Sequence, residues 1–253
     1  MVIKNKKVIT IYLLGTFSVT FLVWGIILIC QRYEFIMTGT IGFWVLFSIG
    51  GLASTVFGAY LSKKTGKVKS YRGLIGEIFK IKQSPKYYML ILIFFTVFFG
   101  IPSKIGTSEN WHTLVLLILQ MIFFGGLEEV GWRYIFQPAL EKHMPYVFAS
   151  IITGCLWAIW HLPLFFMEGM NKGSNFGLFA INVLALSFML GAIYRVSKSL
   201  WLCVLFHAMV NAFSSTDVFM ESMLSPLIKT IIIFVLSFLI VVLHYHYADK
   251  RIV

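Results

Sequence analysis

The sequence predicts an all-α, polytopic membrane bundle of about eight transmembrane helices. Three observations carry that prediction. Of the 253 residues, 59% are hydrophobic and only 12% are charged, where a soluble domain carries roughly 25% charged residues. The hydrophobic residues come in runs of about twenty, the length needed to cross a ~30 Å hydrocarbon core at 1.5 Å per residue. Lysine and arginine fall between the runs, and mostly on one side of them.

Taken in order, the runs cover 8–30, 39–61, 87–101, 112–137, 146–167, 176–195, 199–215 and 224–246. The first follows Lys4, Lys6 and Lys7, a start shared with signal peptides. Its apolar run is too long for a signal-peptide core and no Ala-x-Ala site follows, so it reads as a retained anchor. The third is short, and either begins inside the preceding loop or lies where the bilayer thins. The longest loop, 62–86, is strongly basic. Leu74, Ile75, Ile78, Phe79 and Ile81 fall close to helical spacing there. The segment reads as a cytoplasmic loop, with a surface-lying amphipathic helix as the alternative.

Sixteen basic residues lie on one side of the spans. They are the three N-terminal lysines, eight between Lys63 and Lys86, and Lys142, Arg195, Lys198, Lys250 and Arg251. Arg32, Lys104, Lys172 and Lys229 lie on the other. The positive-inside rule makes this a multi-pass cell-membrane protein with both termini cytoplasmic. The same asymmetry accounts for the net charge of +11 without a nucleic-acid partner. Three regions follow: N-terminal helices over 1–111, a core carrying the polar motifs over 112–216, and a last helix and tail over 217–253. Cys30, Cys155 and Cys203 all sit in apolar runs with no CxxC spacing, which argues against disulfides and structural zinc.

Ionisable groups in hydrocarbon mark a functional site by default. The fourth run carries Glu128 and Glu129 side by side. Glu129 and Arg133 are four residues apart, share a helix face and can pair. Glu128 is turned about 100° away from that face, which leaves it as the free carboxylate. The fifth run holds Trp157-Ala-Ile-Trp160-His161-Leu-Pro163, whose proline removes a helical hydrogen bond and opens the chain near the histidine. The seventh holds His207 and Asn211, again four apart. Singly, these groups can also be read as a solvated helix end, a core histidine and polar glue between helices. Together they can satisfy one another in a single wet cavity. A carboxylate with an imidazole can take a proton from water, and an imidazole with an amide can stabilise an oxyanion.

Other chemistries lack their motifs. There is no His-Glu-x-x-His, no Gly-x-Ser-x-Gly, no P-loop and no Gly-x-Gly-x-x-Gly, so nucleotide-driven chemistry is not expected.

Glu128-Glu129-x-x-x-Arg133, an aromatic-x-x-x-His ending at His161, and His207-x-x-x-Asn211 resemble, in this order, the CAAX protease and bacteriocin-processing family of intramembrane peptidases. The resemblance covers about residues 112–216. Trp157 stands where the family often has phenylalanine. The resemblance implies an endopeptidase that acts on a membrane-associated protein or peptide. In it Glu128 would activate water with help from His161, His207 and Asn211 would bind the oxyanion, and Glu129 and Arg133 would hold the glutamate helix. The family is often described as metalloproteases. Zinc held by Glu128, His161 and His207, with water as fourth ligand, and a metal-free reaction both stay open. So do a non-catalytic immunity or scaffold role and, with no visible internal repeat, a proton-coupled transporter.

Overall fold

The computed structural model describes residues 5–100, 102–105, 111–171, 173–216, 219–222 and 225–249. Lys4, Lys172, Lys250 and Arg251, and the run and region boundaries at 101, 217 and 224, lie outside the described residues. Five helical stretches are long and apolar enough to cross a membrane: Lys6–Arg32, Ile41–Lys64, Trp111–Leu140, Phe176–Ser197 and Pro226–His246. Three shorter apolar helices, Pro85–Phe99, Tyr146–Trp160 and Leu200–Ser214, complete the eight runs. The protein is therefore an all-α membrane bundle. Its one departure among the described residues is an antiparallel ribbon of β1 (Pro102–Ile105) and β2 (Phe219–Ser222).

The helices run α1 (Asn5–Arg32), α2 (Ile41–Gly51), α3 (Ala53–Lys64), α4 (Tyr71–Ile78), α5 (Pro85–Phe99) and α6 (Trp111–Phe123). They continue with α7 (Glu129–Gly131), α8 (Gln137–Leu140), α9 (Tyr146–Trp160), α10 (Phe176–Ser197), α11 (Leu200–Ser214) and α12 (Pro226–Asp249). Side-chain caps set several starts. Thr40, Ser70, Asn175 and Ser199 each accept from a backbone N–H in the first turn of the helix that follows. Such a cap contributes about 1 kcal/mol.

Three of the eight runs are interrupted, the fifth at the position where Pro163 is expected to open it. The second bends at Leu52, between α2 and α3, after the pair Gly50-Gly51. Glycine pairs are a recognised cause of kinks. The Gly50 carbonyl accepts from Thr20 Oγ1 at 2.7 Å, and Trp160 Nε1 donates to the same hydroxyl at 2.8 Å. The fifth run stops at Trp160. His161 caps α9 and Pro163 begins a short 3-10 turn over Leu162–Phe165. The fourth run is the most broken. α6 ends at Phe123, a 3-10 turn covers Gly126–Glu128, and a π-helical turn over Trp132–Phe136 separates α7 from α8. Non-helical backbone at membrane depth is tolerated only where protein buries it, and residues 129–137 are all buried.

The basic loop resolves into the short helix α4. Leu74 and Ile78 are buried on α4, which packs on α3 and α11, while Ile75 and Phe79 stay exposed. The periodicity over 74–81 therefore serves core docking on one face and leaves a second apolar face outward. α1 and α12 carry exposed apolar side chains suited to lipid, among them Leu14, Leu22, Ile29, Ile231 and Leu243. The core gathers around α9, α10 and α11. All three cysteines are free.

Candidate active site

The broken fourth run is held from outside by α1 and α3. Ser54 Oγ donates to the Glu128 carbonyl at 3.0 Å, and Thr55 Oγ1 to the Leu127 carbonyl at 2.9 Å. The Tyr12 hydroxyl pairs with Ser54 Oγ at 2.8 Å. These contacts occupy carbonyls that a continuous helix would have satisfied itself. Approach this close needs small residues. A Cβ on Gly58 would lie 2.6 Å from the Val130 carbonyl and 2.7 Å from the Gly131 Cα. After the glutamates, Lys67 donates to the Tyr134 carbonyl inside the π turn and, at 2.8 Å, to the Tyr194 hydroxyl. Its ammonium also sits 3.8 Å from the centre of the Tyr134 ring. Burial pushes Lys67 down from the ordinary lysine value to about 7; the two oxygens and the ring act in the opposite sense and favour the cation.

This backbone aims the two glutamates at different partners. Glu129 is fully buried and shared. Its Oε2 lies 3.5 Å from Arg133 Nε, and its Oε1 accepts from His207 Nδ1 at 2.9 Å. The guanidinium makes no hydrogen bond among the described residues; it lies 4.7 Å over the Trp157 ring. Glu128 Oε2 accepts from Trp157 Nε1 at 2.9 Å, so the second carboxylate is not free: one oxygen is engaged.

Trp157 is the hub that sequence reasoning missed. Besides holding Glu128 and stacking under Arg133, it offers its carbonyl to His161 Nδ1 at 2.8 Å. Its ring meets His207 edge to face, with centroids 5.1 Å apart. The only sequence signal was its place four residues before His161, where a phenylalanine could supply the ring but not the N–H. Gly125 was also missed. A Cβ there would collide with the Asn211 amide and approach His207 Nε2 to 3.3 Å. The doublet Gly125-Gly126 ahead of two carboxylates was the available clue.

Both histidines use Nδ1 for positioning and leave Nε2 for chemistry. A carbonyl acceptor on His161 and a carboxylate acceptor on His207 place the proton on Nδ1 in each. Two cavities meet here. One of about 490 Å³ is walled by Trp24, Phe47, Phe124, Leu164, Met170 and Phe179, and reaches Glu128, His161 and Asn211. The other, of about 420 Å³, is lined by His161, His207, Asn211, Asn182 and Lys229. His161, Phe179, Asn211 and Ser214 line both.

Among the described residues no group of three or more His, Cys, Asp or Glu is arranged to hold a metal ion.

Comparison with known proteins agrees with the motif order. Residues 110–213 match the family described as Type II CAAX prenyl endopeptidase Rce1-like. Over those residues the chain is similar to the CAAX protease and bacteriocin-processing family. It is 24% identical, over 79% of its length and 82% of the relative's, to a protein of Methanococcus maripaludis named CAAX prenyl protease 2. The family is one of membrane endopeptidases, so a protein or peptide is the expected class of substrate.

Proposed function

We propose that this protein is an intramembrane endopeptidase in which Glu128 activates water to hydrolyse a peptide bond of a membrane-associated protein or peptide. The observation that carries this reading is the Glu128 carboxylate, fixed by Trp157 through one oxygen, lining a cavity together with His161 and Asn211. The other oxygen takes a proton from water. His161 Nε2, unprotonated, accepts the water's second hydrogen and orients it. The hydroxide attacks the peptide carbonyl carbon. The oxyanion is met by the Asn211 amide and, when the ring is protonated, by His207 Nε2–H. Glu129 on Nδ1 stabilises that imidazolium, as a carboxylate does behind a catalytic histidine. The proton on Glu128 passes to the departing nitrogen, and the carbon–nitrogen bond breaks. The products are an acid and an amine, and the water is consumed.

The apolar cavity suits an apolar part of the substrate. On the charge asymmetry, both termini are cytoplasmic. The C-terminal ends of α9 and α11 and the start of α12 then place both cavities in the half of the bundle away from the basic 62–86 loop.

Full-length protein reconstituted in liposomes and given a defined peptide mixture, with products read by mass spectrometry, tests the reaction. Cleavage should occur, survive chelation, and vanish in Glu128→Gln at unchanged abundance and helix content. A variant that still cleaves, or activity lost to chelation and restored by zinc, would overturn the mechanism. A biological phenotype kept by Glu128→Gln at normal abundance would move the protein to a binding or immunity role.

A further inference from the structure

The two cavities that meet at His161 and Asn211 differ in chemistry. The larger is walled by aromatic and aliphatic side chains. The smaller contains a cation. Lys229, one turn into α12, lines it as His207 and His161 do, and it has no ion-pair partner among the described residues. The ammonium lies 4.9 Å from the centre of the Phe98 ring, which also lines the cavity. A ring face attracts a cation but does not satisfy its hydrogen bonds. A lysine partly buried among apolar side chains without an acid is costly. Asn182 adds an independent sign. It lines the same cavity from α10, and its Oδ1 is buried without a hydrogen-bond partner among the described residues. The cavity thus offers an unpaired cation and an unpaired acceptor beside the reacting groups. An extended peptide carries the complements of both: N–H donors and, at its end or on an acidic side chain, a carboxylate.

We infer that Lys229 and Asn182 form a subsite that selects a carboxylate-bearing segment of the substrate. This rests on the peptidase reading for the word substrate, though the subsite can be tested by binding alone. Lys229 takes the carboxylate and Asn182 Oδ1 takes a peptide N–H. The carboxylate can belong to a chain terminus or to an acidic side chain, and the ammonium treats the two alike. A charge-assisted hydrogen bond in a site with little water is worth roughly 10- to 100-fold in affinity.

The test uses full-length protein carrying Glu128→Gln in nanodiscs, so that no probe is consumed, with fluorescence anisotropy as readout. The probe is one uncharged apolar octapeptide capped with a neutral dye, made in three forms: C-terminal carboxylate, C-terminal carboxamide, and carboxamide with one internal glutamate. At least one carboxylate form should bind about tenfold or more tighter than the plain carboxamide. Preference for the first form only identifies a chain terminus; preference for the third identifies an acidic side chain. Adding Lys229→Gln should bring the ratio close to one, and Lys229→Arg should keep it. Asn182→Leu should weaken all three forms. Equal binding of the three forms, or a ratio unmoved by Lys229→Gln in protein that elutes as the parent does, overturns the subsite. Active protein with Glu128 intact is assayed in parallel. If it cleaves nothing while the binding ratio holds, the peptidase reading falls and the subsite stands. If it cleaves without discrimination, the subsite falls and the peptidase reading stands.

Discussion

α12 and the segment Trp111–Leu140 both read as apolar stretches long enough to span a membrane. Their structures have little else in common. α12 is one uninterrupted helix from Pro226 to Asp249, with Leu227, Ile228, Ile231, Val235 and Leu239 exposed along it. The other breaks after α6 into a 3-10 turn, a single turn of α-helix, a π turn and a last short helix. The difference lies in who satisfies the backbone. A helix in lipid must satisfy itself. A segment enclosed by protein can hand its carbonyls to Ser54, Thr55 and Lys67. Freed from helical spacing, Glu128 and Glu129 turn to different partners although they are neighbours in sequence.

If the broken segment exists to present Glu128, its carboxylate is where the largest effect should appear. Glu128→Gln keeps the shape and can still accept from Trp157, but it cannot take a proton from water at neutral pH. General-base catalysis contributes roughly 10²–10⁴-fold, so turnover of a cleaved peptide should fall by that factor at constant circular dichroism. Full turnover would make the break a structural accident and remove the contrast with α12.

Arg133→Ala comes next. It removes the cation from beside a fully buried carboxylate and leaves a void under Trp157. Removing one partner of a buried pair costs about 3–5 kcal/mol. Unfolding from mixed micelles by titration with SDS should show a loss of that order. A change under about 1 kcal/mol would mean that His207 alone keeps Glu129 satisfied.

Which parts of this were legible in the sequence follows from the same contrast. Run length and composition suffice for α1 and α12, because a helix that faces lipid is specified by its own residues. Spacing also sufficed to put Glu129 within reach of Arg133. It could not show that His207, 78 positions away, holds the other oxygen of Glu129, since that contact depends on how α11 packs on the broken segment. Nor could it show that Trp157 binds Glu128. A regular 3.6-residue repeat projected through 112–137 sets both carboxylates on an ideal helix that does not form. The break was foreshadowed only by Gly125-Gly126, and its stabilisers Ser54 and Thr55 lie in a different run.

Trp157→Phe separates the two contributions of the hub. The ring that meets His207 and Arg133 is kept, and the N–H to Glu128 is lost. A hydrogen bond to a charged group is worth about 1.5–3 kcal/mol, so kcat/KM should drop roughly 10- to 100-fold, with folding stability nearly retained. An unchanged kcat/KM would mean that the backbone alone positions Glu128, and that the irregular segment needs no side-chain support from α9.

The smallest effects compare the two regions directly. Ser54→Ala removes the hydroxyl that donates to the Glu128 carbonyl and pairs with Tyr12. A buried acceptor left without its donor costs about 1–3 kcal/mol. The loss should appear in SDS unfolding and should lower turnover, because the carbonyl belongs to the residue proposed as the base. Ile231→Val removes one methylene from a side chain 62% exposed on α12. It breaks no hydrogen bond and opens no enclosed void, so it should stay within about 0.5 kcal/mol and leave turnover alone. The pair is informative because both changes are small and both lie in runs that read alike as membrane spans. Equal effects from the two would mean that the broken segment is no more dependent on its neighbours than a lipid-facing helix. A loss at Ser54 with none at Ile231 locates the added cost at the carbonyls released where the helix stops.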